Sequence, residues 1–253
     1  MSTGQYLDQI VPRLERIRSQ AEPIERAAVQ CADSIAGDGL VHVFGAGHSR
    51  MMAEEAYPRI GAVAGFRPVV ELAVTFFHDV VGPNGLEQAL FLERAPGYGT
   101  VIFDQLGARS GDTTIVFSSS GVEAIIMDYV DAAQAAGTKV VGVTSFEYSA
   151  QTSAERGGAR RLADVADIAI DNGVPVGDAL VAVPGIEEKV SACASILNLA
   201  VMHEITSGTA MALSERGQPP VVFASPHLAG HERSRARYEQ SLAEYRRRVW
   251  GER

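Results

Sequence analysis

Three serines and a glycine, Ser118, Ser119, Ser120 and Gly121, stand between an apolar run and a helical pattern, a setting suited to holding an anion. Hydroxyls donate hydrogen bonds to phosphate oxygens, glycine permits a tight turn, and the first N–H groups of a following helix face negative charge. Taken alone, the same residues read equally well as a helix cap made of serines. An earlier segment, Gly45-Ala46-Gly47-His48-Ser49, has the same setting after the apolar run Leu40 to Phe44. It could also begin a dinucleotide-binding turn with Glu71 as the ribose-binding acid, but the third glycine of that motif falls at Arg50, whose side chain would obstruct close helix–strand packing.

Candidates for proton transfer follow that first turn. In the stretch Met51 to Tyr57, Glu55 shares a helix face with Met51 and Met52, whereas Glu54 lies four residues after Arg50 and can pair with it at the surface. Glu55 is thus the inward carboxylate, and apolar neighbours raise a carboxylate's proton affinity toward the range useful for a general base. Its competing use is an ion pair with Arg59, a helical spacing that Pro58 interrupts. His48, inside the turn, is the better functional histidine. His203 reads as a core or interface residue, His78 and Asp79 as polar loop residues, and His227 and His231 carry no assignment.

The elements that must position these groups are legible as alternation. Helical spacing in Tyr6 to Ile17 and in Ile24 to Ile35 precedes the first strand, Leu40 to Phe44. Further strands are expected at Arg67 to Leu72, Thr113 to Phe117, Lys139 to Thr144, Asp167 to Ile170 and Ala179 to Val183. Helices are expected at Val122 to Ala136 and Ile186 to Leu213. Apolar strands separated by helices indicate a parallel sheet covered on both faces, hence a three-layer, doubly wound, flavodoxin-like α/β fold. Thr75 to Ala108 and Phe146 to Arg161 read as irregular loops over the site. The whole chain, 1–253, reads as one domain, with N-terminal helices in 1–37, an α/β core in 38–213 and a solvated C-terminal helix in 231–250.

Composition removes several classes. The formal net charge of −9 over 253 residues offers no basic field for nucleic acid. No run approaches a membrane span, and the N-terminal stretch lacks the apolar region of a signal peptide. The two cysteines, Cys31 and Cys193, each lie in an apolar pattern, which suits buried thiols in a reducing cytoplasm and excludes a cysteine metal site.

Together, GAGHS after the first strand, SSSG after a middle strand and GVTS at Gly142 to Ser145 resemble the sugar isomerase (SIS) domain family over nearly the whole chain. Within it the sequence looks most like the compact bacterial branch related to phosphoheptose isomerase and N-acetylmuramic acid 6-phosphate etherase. The resemblance implies a phosphorylated sugar held by Ser118, Ser119, Ser120 and Gly121, with Gly47, Ser49 and Ser145 contributing, and a homodimer or higher oligomer with sites near the subunit interface. Ala53-Glu54-Glu55 is similar to the family's Ala-Glu-Glu run, which implies an acid/base role for Glu55. The histidine that heptose isomerases carry early in the C-terminal helix is matched by Val190, a departure. Glu123 is another, since a carboxylate there repels phosphate and is expected to face sugar hydroxyls instead. No metal or organic cofactor is required. The favoured reaction is dehydration of an N-acetylhexosamine 6-phosphate, with aldose–ketose isomerisation or a non-catalytic phosphosugar sensor as alternatives.

Overall fold

The computed structural model describes residues 4–75, 85–152, 160–225 and 231–251. Five parallel strands form the central sheet in the order β2-β1-β3-β4-β5: β1 Val41–Gly45, β2 Phe66–Val69, β3 Thr113–Phe117, β4 Lys139–Thr144 and β5 Ile168–Asp171. This is the flavodoxin-like order. Side chains alternate faces along each strand. Val41 and Val43, Ile115 and Phe117, Val141 and Val143, and Ile168 and Ile170 therefore line one face. They meet helices α1 Gln5–Arg18, α2 Ala21–Ala36, α3 Met51–Ala56 and α9 Ala194–Glu215. Phe44, Val116 and Val140 line the other, under α5 Tyr98–Asp104 and α6 Ala124–Ala135. The Phe44 ring stacks on Tyr129 of α6 at 4.2 Å.

Several boundaries differ from the sequence reading. The segment expected as irregular between Thr75 and Ala108 holds α4 Gly85–Arg94 and α5, separated by Gly97 at φ 86°. Gly85 opens the first of these helices and Gly97 precedes the second, so its described glycines do not mark a continuous loop. Phe146 to Arg161 begins with the short helix α7 Phe146–Gln151, and α8 Leu162–Val165 follows it. Ala179–Val181, expected in the main sheet, is β6 of a separate antiparallel hairpin with β7 Val190–Ala192. The long buried helix does not start at Ile186. Ile186 and Val190 are exposed, because their helix-like spacing is spent on a turn and a strand before Asp178 caps α9 through the N–H groups of Cys193 and Ala194 at 2.9 and 2.7 Å.

The C-terminal helix α10 His231–Trp250 is docked rather than only solvated. Tyr245 stacks on Tyr57 at 4.6 Å, and Arg248 donates to the carbonyls of Ile35 and Gly39 at 3.0 and 2.9 Å. That guanidinium satisfies the end of α2, where helix carbonyls lack partners. Among the described residues no helix is long and apolar enough to cross a membrane.

Candidate functional site

In an open parallel sheet, ligands bind beyond the carboxyl ends of the strands where the strand order reverses. Here that place lies between β1 and β3, where Gly45 pairs with Phe117. The two loops singled out by sequence, Gly45 to Ser49 and Ser118 to Gly121, both leave from it. Gly45 is required by packing, since a Cβ there would lie 2.6 Å from the carbonyl oxygen of Ser49. Gly121 sits at φ 64°, and a Cβ would meet Thr144 Oγ1 at 2.7 Å, so the serine loop closes tightly over β4.

The three serines divide their work. Ser118 Oγ donates to Glu123 Oε2 at 2.7 Å, and Ser120 Oγ donates to the other carboxylate oxygen. Ser119 accepts instead from Asn172 Nδ2 at 3.5 Å, and that amide also donates to Asn198 Oδ1 of α9 at 2.9 Å. A buried amide pair thus ties the serine loop to the end of β5 and to the long helix. Ser145 is fully buried. Its hydroxyl donates to the Val174 carbonyl at 2.6 Å and accepts from Tyr148 N–H at 3.0 Å. Contrary to its expected place in the binding set, it caps α7 and shapes the loop.

In the first turn, Gly47 is buried at φ 54°, Ser49 half-buried and His48 exposed. Arg50 is buried and donates to the Gly47 carbonyl at 3.1 Å. The guanidinium thus fills the place a dinucleotide motif keeps for its third glycine. Glu71, the acid of that alternative, accepts from Ala73 N–H at 2.9 Å as a turn cap. With burial, its charge pushes the Tyr98 hydroxyl up to about 12. The nucleotide reading loses both its supports.

Glu55 does not sit among apolar groups alone. Its Oε1 receives Arg59, the pairing that Pro58 was expected to interrupt, and lies 2.9 Å from His203 Nε2. The His203 side chain is 57% exposed on the single chain, so it is not a core residue, while that of Glu55 is 19% exposed. The two lie on α3 and α9, whose first turns meet where Ser195 Oγ reaches Met51 Sδ at 3.7 Å. A cleft of about 110 Å³ adjoins the pair, lined by Arg59, Gly61, Met202 and Thr206. Glu54 is half-exposed and lies 3.6 Å from Arg50 Nε, as its spacing indicated. His78, Asp79 and His227 lie outside the described residues, as does the side chain of His231.

Cys31 and Cys193 are buried free thiols. Each is pushed up to about 12, mainly by burial, so neither is a ready nucleophile. Among the described residues no group of three or more metal-ligating side chains comes together. A groove of about 700 Å³ runs between α1, α2 and α9 over Leu14, Ile24, Val29 and Met211. It lies on the helical face, away from the switch-point loops.

The sheet order and the two loops define a doubly wound α/β protein with two glycine-bearing loops at its β1/β3 switch point. Residues 5–145 match the SIS domain family. The chain belongs to that family. It is 32% identical over 231 residues to UPF0309 protein SCO4393 of Streptomyces coelicolor, with 90% of each chain covered. It is 33% identical over 232 residues to a UPF0309 protein of Streptomyces avermitilis, again with 90% of each covered. A phosphoheptose isomerase structure from Francisella tularensis has the same fold. Its TM-score is 0.50 and its identity 15%, over 83% of this chain and 98% of that one.

Proposed function

We propose that this chain is an enzyme acting on a phosphorylated sugar. Ser118, Ser120 and the turn at Gly47 to Ser49 take the phosphate, and Glu55 with His203 moves protons at the carbonyl end. The observation that carries this reading is the 2.9 Å contact between His203 of α9 and Glu55 of α3, the helix that follows the Gly45 to Ser49 loop. A carboxylate and an imidazole in hydrogen-bond contact are suited to taking a proton from one carbon and returning it to a neighbour. On an open-chain aldose, loss of the C2 proton gives an enediolate, and reprotonation at C1 gives the ketose. Elimination was favoured in the sequence because no histidine stood at the isomerase position. His203 brings an imidazole to Glu55 from elsewhere on α9, so aldose–ketose isomerisation is the reading the geometry supports best.

A second reading, dehydration of an N-acetylhexosamine 6-phosphate, draws support from Val190, which is exposed on a strand where heptose isomerases carry a helical histidine. It begins with the same proton and ends with loss of the C3 hydroxyl as water.

The deciding experiment incubates the protein with N-acetylglucosamine 6-phosphate, fructose 6-phosphate and sedoheptulose 7-phosphate, followed by mass spectrometry and NMR. A new isomer of unchanged mass is expected. Loss of one water would favour the lyase, and binding without turnover would sink the enzymatic reading in favour of a sensor. Glu55→Gln is expected to abolish turnover and leave binding within about threefold.

A further inference from the structure

We infer that Glu123 sets the specificity of the serine loop: its carboxylate occupies the hydroxyl pair that a phosphate would take, so an anion enters only by displacing it. The inference rests on the reading of that loop as a phosphate site. Both carboxylate oxygens are engaged, one by Ser118 Oγ at 2.7 Å and the other by Ser120 Oγ. Gly121 N–H meanwhile donates to Ser118 Oγ at 2.8 Å, which leaves that hydroxyl's proton for an acceptor outside the loop. Two hydroxyl donors on two oxygens of one anionic group is also the arrangement they would make with a phosphate. Glu123 itself holds the N-terminal cap position of α6, with extended backbone at φ −62° and ψ 144°. Its side chain makes no bond to the helix end as a cap and folds back over the serines instead.

A phosphate arriving with the carboxylate in place meets like charge within a few ångströms and finds the hydroxyl protons of Ser118 and Ser120 already taken. Displacement must be compensated by the rest of the ligand. The released carboxylate can accept hydrogen bonds from sugar hydroxyls near the phosphate, whereas inorganic phosphate offers it nothing comparable. Glu123 therefore discriminates against bare phosphate and in favour of its sugar ester.

Calorimetric titration with inorganic phosphate and with fructose 6-phosphate tests this on the wild type, Glu123→Gln, Glu123→Ala and the double variant Ser118→Ala/Glu123→Ala. Both single variants should bind inorganic phosphate at least tenfold more tightly than the wild type, and the double variant should lose that gain. Glu123→Gln keeps the side chain's shape but removes its charge and one of its two acceptor oxygens, so it reads the displacement even where Glu123→Ala fails to fold. Unchanged or weaker phosphate binding in Glu123→Gln overturns the inference. If fructose 6-phosphate still binds in that case, the phosphosugar reading survives. Failure of every chain to bind either anion removes both.

Discussion

Ser118 and Ser120 turn to one side and Ser119 to the other, because successive residues leaving a strand project in opposite directions. That alternation puts the first and third serines on Glu123, on the side proposed for the ligand, and the middle one on the Asn172–Asn198 pair. Ser118→Ala and Ser120→Ala should each weaken phosphosugar binding by about tenfold, or about 1.4 kcal/mol, while Ser119→Ala changes it by less than about threefold. The reverse order in a calorimetric titration would reassign the loop. At the other end of the site, His203→Gln keeps a polar group of similar reach but cannot carry the proton. Its kcat should fall at least about a hundredfold with KM little changed, the mark of an interaction made in the transition state.

At the scale of the elements, β1 and the turn before β3 are joined by a buried polar cluster far from the serine loop. Asp112 accepts from the N–H groups of Leu40 and Arg109 at 2.8 and 3.0 Å, and lies 3.1 Å from His42 Nε2. Burial works to raise its proton affinity, but the His42 contact and the two N–H bonds outweigh it and hold the carboxyl below its ordinary value. A carboxyl with a lowered folded-state pKa stabilises the fold fully above its unfolded value, about 4, and loses that contribution as pH falls through the folded value. Asp112→Ala should therefore cost about 3 kcal/mol near neutrality, with the gap between the two urea midpoints narrowing only at acid pH. A gap that does not change with pH would remove the electrostatic account. Where α5 crosses α6, a Cβ on Gly99 would stand 2.0 Å from the Ile125 carbonyl oxygen. Gly99→Ala should thus lower the melting temperature, at a cost of about 1–3 kcal/mol.

For the whole molecule, α9 is apolar on more than its packed face. Leu197, Val201, Ile205 and Leu213 are buried within the chain, whereas Ile196 and Met211 are exposed on the same helix. A helix that is hydrophobic all round belongs in an interior. This supports the dimer implied by the family resemblance, with α9 at the contact. Light scattering should give about twice the chain mass, and Met211→Glu should shift the protein toward monomer. A wild type that runs as a monomer at micromolar concentration would remove the assembly.

The sequence by itself determined the layers and the edge of the sheet from which the two candidate loops leave. Apolar strands at regular intervals require a two-sided sheet, and the glycine- and serine-bearing loops had to follow strands. Both signals are local, carried by residues adjacent in the chain. Only the tertiary structure decided which groups meet. His203 reaches Glu55 across 148 positions because α3 and α9 pack on one face of the sheet, and no periodicity within either helix encodes that pairing. Ser145 offered a hydroxyl in the right loop, yet its neighbours consumed it. The start of α9 was misplaced for a related reason: Ile186 and Val190 have helical spacing, but the residue that fixes the helix end is Asp178, a distant cap. Hydrogen-bond partners and helix crossings are properties of packing between elements. A pattern along one chain segment specifies the element, and its neighbours in space specify its chemistry.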